Sequence, residues 1–131
     1  LGDSDVVTVL GTLGGSASSA NDISDDSPRV VGWSKTDIGV RAGFIWEMGA
    51  MTALRPLNGS RNSKAQAINS AGQIVGQSAN KAVLWINNEI YDLNSMLTPP
   101  TVILTKALDI NEVGDVFAQG HGRCFLLQSV Y

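Results

Sequence analysis

Thiol chemistry has almost no place in this sequence, which holds a single cysteine, Cys124, inside the apolar run CFLL. One thiol excludes an intrachain disulfide and a thiolate metal cluster. Its setting reads as a small buried hydrophobe rather than a reactive nucleophile. Histidine is equally scarce: with His121 alone, a Ser-His-Asp arrangement is arithmetically allowed, but no spacing points to its partners, so the chain does not read as an enzyme. No apolar stretch approaches the roughly 18 residues of a membrane span, and no secretory leader pattern is present. The first residue is Leu1 rather than Met, which suggests a processed or excised form and leaves secretion open.

Charged residues are sparse and the net charge is −3, which argues against nucleic acid as a specific partner. Glycine, by contrast, is plentiful, and 131 residues suffice for one domain with one real core. That combination favours many short elements joined by tight turns over disorder. The glycine-rich GTLGGSAS is followed by no helix and closed by no lysine, so it reads as a turn and not a phosphate loop. The acids of NDISDDSP match no calcium-loop spacing, and neither a metal nor a cofactor is expected. The NGS at 58–60 fits a glycosylation sequon by pattern and reads more readily as a turn.

What the chain does contain is a phrase said three times: DISDDSPRVVG at 22–32, AINSAGQIVG at 67–76 (from Ala67) and DINEVGDVFA at 109–118. Laid on Ile23, Ile68 and Ile110, each phrase has a small residue three positions back, Ala20, Ala65 and Ala107. Each is followed by a second apolar run (RVVGWS, QIVGQS, DVFAQG) and a third (GFIWEMG, VLWINN, CFLLQS), in which Trp46, Trp85 and Leu127 correspond. A fourth run appears twice, AMTAL and EIYDL. Equivalent positions lie roughly 39 to 45 residues apart, within the range of stacked supersecondary units.

The runs are short, rich in Val, Ile, Leu and aromatics, and bounded by Gly, Asn, Asp or Ser, so strands fit better than helices. NSAG, NEVG, EMGA and INNE place Gly or Asn where a hairpin needs positive φ. Each unit is expected to be a four-stranded antiparallel meander, with repeats at roughly 11–54, 55–93 and 94–131 of a single domain. The third lacks its fourth run, while VVTVL at 6–10 matches AMTAL and EIYDL in position. A first strand that completes the last repeat removes a bare sheet edge.

VLGTLGGSASSANDIS, AINSAGQIVGQS, DLNSML ahead of ALDINEVGD, and GRCFLL together resemble the HAF-type bacterial extracellular repeats. The resemblance spans nearly the whole chain and implies β-propeller blades and an extracellular or periplasmic location. It implies no chemistry. Propellers have about four to eight blades, whereas this chain holds three. The expected solution is a homo-oligomer: a domain-swapped two-fold dimer forming a six-bladed ring, with VVTVL of each chain completing the third blade of the other. Membership in a longer array is an alternative, and a compact monomeric β-trefoil is another fold that suits three such repeats.

In an up-down meander the loops before strands one and three share one rim, here the upper, and those before strands two and four share the lower. Lys35, Arg41, Arg55, Arg61, Lys64, Lys81, Lys106 and Arg123 fall in or beside upper-rim loops, and His121 joins them; only Arg29 does not. Asp25, Asp26, Glu47, Glu89, Glu112 and Asp115 fall at lower-rim turns, with Asp3 and Asp5 on the same side. Arg41, Lys81 and Arg123 read as a recurring cation before each third strand. Trp46 and Trp85 are expected between neighbouring blades, and Trp33 is placed to stack on a sugar ring or a partner side chain.

These features point to a non-enzymatic binding or assembly module. Its basic rim suits an anionic polysaccharide, a phosphate-bearing polymer or an acidic protein surface. A carbohydrate-binding trefoil-like lectin and a self-assembling structural subunit are the alternative readings.

Overall fold

The structure, a computed structural model, describes residues 6–25, 27–97 and 102–128. Asp3, Asp5 and Asp26, expected on the lower rim, lie outside them. The described chain is all-β, with three antiparallel sheets and one short 3-10 turn at Leu93–Met96. The first sheet orders β1 (Gly14–Ile23), β2 (Val30–Thr36), β3 (Arg41–Glu47) and β4 (Ala50–Ala53) as a meander. The second repeats it with β5 (Ser63–Ile68), β6 (Ile74–Ser78), β7 (Lys81–Ile86) and β8 (Glu89–Asp92). Among the described residues the third has only β9 (Lys106–Ile110), β10 (Val116–Gly120) and β11 (Arg123–Leu127), and no sheet closes on itself.

Register bears out the repeat. Ile23, Ile68 and Ile110 pair with Val30, Ile74 and Val116, which pair in turn with Trp46, Trp85 and Leu127. The small residues Ala20, Ala65 and Ala107 lie opposite Gly32, Gly76 and Ala118. In each sheet the ladder slips once between these two levels, leaving Asn21, Gln66 and Leu108 as the extra residue of a bulge. Two-residue turns with positive φ at both positions form at Met48–Gly49, Ala79–Asn80, Asn87–Asn88 and His121–Gly122, the twist that right-handed hairpins prefer.

The sheets stack face to face. Val31 and Leu54 of the first pack on Ala65, Ile68, Ile74, Val83 and Trp85 of the second. The opposite face of the second sheet, Ala67, Val75, Ala82 and Leu84, packs on Ala107, Ile110, Val116, Ala118 and Leu127 of the third. The second sheet is therefore covered on both faces, which is why β7 reads KAVLWI as an almost unbroken apolar run instead of alternating.

In the single chain residues 6–10 form no strand, β11 has no fourth neighbour among the described residues, and Val6, Val7 and Val9 are exposed. One expectation fails. Cys124 is exposed rather than buried, because it lies on the face of the third sheet that no further sheet covers.

Polar ties bind the sheets at the lower rim. The Asp22 carboxylate accepts from Ile68 N at 2.9 Å, Arg29 Nη2 donates to the Ser70 carbonyl at 2.7 Å, and Glu112 accepts from Ser70 N at 3.1 Å. Buried Asn69 accepts from Gln73 N at 3.0 Å and donates to the Asn111 carbonyl at 3.0 Å, closing its own turn and gripping the next. Asn69→Ala leaves both groups without this partner and should cost about 1–3 kcal/mol in urea denaturation. Asn111→Ala removes the matching turn contact at an exposed position and should cost less, since water replaces it.

Candidate functional site

The upper rim opens between the first two sheets into a cleft of about 310 Å³ lined by Arg41, Ser60, Asn62, Lys64, Gln77 and Asn80, among others. Arg41 begins β3 and Lys64 sits second in β5, so cations from two sheets face one space. The Ser63 and Ser78 hydroxyls at its floor are already used in building it. Ser63 Oγ accepts from Gly43 N at 2.8 Å, and Ser78 Oγ donates to the Asn62 carbonyl at 2.8 Å while accepting from Leu57 N at 3.0 Å. The hairpin carrying Asn80 takes positive φ at Ala79 and Asn80, which turns this edge of the cleft tightly.

Arg41 is held by its neighbours. Its guanidinium carbon lies 4.5 Å from the Trp33 ring centroid, a cation–π contact across adjacent strands. Trp33 is thus half-buried beneath Arg41, which covers the face expected to stack on a sugar. Lys35 lies directly opposite Arg41 in the ladder, placing two like charges side by side. Like-charge pairs facing each other across a ladder are destabilising unless an anion or water intervenes.

The remaining rim residues do not join this cleft. Arg55 forms an ion pair with Glu89 at 3.7 Å, so it sits with an acid of the β7–β8 turn rather than with the rim cations. Lys81 forms another with Asp92 at 3.7 Å. Arg61 is exposed on the crossover between β4 and β5, while Lys106, His121 and Arg123 belong to the third sheet. The recurring cation is offset by one residue in the first sheet. Lys81 and Arg123 pair with Ser78 and Gly120, but Ala42 is what pairs with Ser34, the matching residue there. The longer connection of the first sheet, 35–41 between Ser34 and Ala42 against 79–80 between Ser78 and Lys81, moves the charge outward, and only the ladder reveals it. His121 is exposed in its turn with φ near 50°, a conformation that histidine tolerates better than most residues.

Among the described residues no group of His, Cys, Asp and Glu side chains gathers to hold a metal ion. No described helix is long and apolar enough to cross a membrane. Comparison with protein-family models, curated proteins and solved structures finds no match to the chain.

Proposed function

We propose that this protein is a non-enzymatic binding module of propeller type whose upper cleft takes an acidic polysaccharide. The carrying observation is the cleft itself, where Arg41 and Lys64 stand among the amides of Asn62, Gln77 and Asn80 and the hydroxyl of Ser60. Two cations supply attraction for carboxylate or sulfate groups. Amide and hydroxyl side chains around them suit the alternating donors and acceptors of sugar rings. An acidic protein surface would need a broader apolar patch at the same place for an anchor, and this lining is largely polar.

The face-to-face stack of open meanders supports blades over a trefoil, whose hairpins would share one barrel. Resemblance to the HAF-type repeats supports an extracellular or periplasmic setting.

Titration calorimetry with a uronic-acid polymer tests the reading. Binding should weaken steeply between low and high salt, since partly exposed charges are screened within about a Debye length of roughly 8 Å at physiological salt. Arg41→Glu with Lys64→Glu should lower affinity at least about tenfold, equivalent to roughly 1.4 kcal/mol. Arg61→Glu, outside the cleft, should change it far less. Salt-independent binding, or equal loss from all three sites, would sink the proposal.

A further inference from the structure

The connector before the first sheet duplicates the one before the second. Leu13 N donates to Ser34 Oγ at 2.8 Å, and Leu57 N donates to Ser78 Oγ at 3.0 Å, with Ser34 and Ser78 at matching positions of β2 and β6. Counting back from these leucines, residues 6–9 occupy the place of β4, Ala50–Ala53, and Leu10 that of Leu54. In the chain, β4 is the fourth strand of the sheet lying in front of the connector. Residues 6–9 therefore stand as the fourth strand of a sheet in front of the first one, and the described chain holds no such sheet. It does hold a third strand without a fourth neighbour, β11.

The two outer faces of the stack carry the same message. Ala65 and Ala107 are each 0% accessible, while their equivalent Ala20 is exposed; Ile68 and Ile110 are 5% and 6% accessible, while Ile23 is 58%. At the other end, Val75, Ala82 and Leu84 are each 0% accessible under the third sheet. Their equivalents Phe117 and Leu126 are 42% and 64% accessible, and Cys124 is exposed. The first sheet shows the face that elsewhere receives a preceding sheet, and the third shows the face that elsewhere receives a following one. Each is apolar where its counterpart is apolar, except that Asp109 of the third sheet stands where Ala67 stands in the second.

We infer that a second copy of this chain covers both faces: the third sheet of each protomer packs on the first sheet of the other, and residues 6–9 add to the free edge of β11. Two such contacts, related by one two-fold axis, close six sheets into a ring and leave no bare apolar end. The β3–β4 pairing of Phe44 with Ala53, Ile45 with Thr52 and Trp46 with Met51 supplies the register. It sets Val9 opposite the partner's Phe125, Thr8 opposite its Leu126 and Val7 opposite its Leu127. This inference is independent of the polysaccharide reading, since none of these residues lines the upper cleft.

One disulfide tests it. Gly43 stands in the first sheet where Cys124 stands in the third, and a Cβ placed on Gly43 lies 3.3 Å from Ser63 Oγ. Ser18, paired with Ser34 as Ser63 is with Ser78, is then the neighbour of the partner's Cys124. Ser18→Cys should yield a covalent dimer under mild oxidation, and Ser18→Cys with Cys124→Ser should not. Light scattering should give a dimer mass for the natural chain, and Leu126→Asp, altering an exposed residue, should give a folded monomer whose Cys124 reacts faster with a thiol reagent. A monomer at every concentration, an open-ended polymer, or a folded Ser18→Cys protein without the covalent dimer would overturn the inference. Should Leu126→Asp fail to fold, the disulfide and the mass decide alone.

Discussion

Replacing Gly76 with alanine is expected to destabilise the protein by about 3 kcal/mol or more, at the upper end of what overpacking a rigid core costs. Gly76 lies in β6 of the central sheet, opposite Ala65 of the first strand, β5, and beside the bulge at Gln66. A Cβ built there falls on the carbonyl oxygen of Lys64, far inside van der Waals contact, and 3.0 Å from Ala65 Cα. Both obstacles are backbone of a strand buried between two other sheets, so neither can rotate away. Gly49 is the control: its φ of 82° favours glycine, yet nothing lies within 4 Å, so Gly49→Ala should cost about 1 kcal/mol. Urea denaturation of the two variants separates steric exclusion from backbone preference. Equal midpoints would mean that the β5–β6 pair can spread. The third sheet shows what such spreading requires: it carries Ala118 at the matching position, and its close approach moves to Gly120 against Ile103.

The second large effect concerns two tryptophans that occupy the same position of consecutive repeats. Trp85 is 1% accessible, packs in the core between the first two sheets, and donates its indole N–H to the Arg55 carbonyl at 2.8 Å. Trp46 is half-buried on the outer face of the first sheet. Trp85→Ala should cost about 3–5 kcal/mol, from lost burial and the cavity left behind. Trp46→Ala should cost less than half as much when both are measured by thermal or urea unfolding in the Leu126→Asp background, so that association does not contribute. Trp85→Phe isolates the indole hydrogen bond and part of the ring, and a loss of about 1–2 kcal/mol is expected. Comparable losses from the two alanine variants would show that the first sheet's outer face is as well covered as the central core.

These contrasts mark where the sequence was legible. The repeat was readable because each level of the meander needs the same residue kind: Ile23, Ile68 and Ile110 at the first level, small residues three positions back, and Gly or Asn at the two-residue turns. The bulge at Asn21, Gln66 and Leu108 was not readable, because an unpaired residue pointing off the ladder has no required chemistry. The three residues share none. Burial of Cys124 was misjudged for a related reason: CFLL has the composition of a doubly covered strand, while the sheet that would cover it is not part of the described chain. At the candidate site, Arg41 and Lys64 were both marked by their place beside upper loops, but that they alone share one cleft depends on which sheets are neighbours. Arg55 was misplaced because β4 is only four residues long and the chain leaves the sheet at mid-height, near Trp85 and Glu89.

The doubly covered second sheet gives the molecule an uneven cooperativity. Detaching the first sheet exposes one core and detaching the third exposes the other, but the second sheet cannot loosen without dissolving both. Its strands are thus the last part of the chain to sample unfolded states, while the outer sheets open in smaller, separate steps. The outer apolar faces thus lie on the parts that can yield, whereas the upper cleft takes most of its lining, Arg41 apart, from the part that cannot.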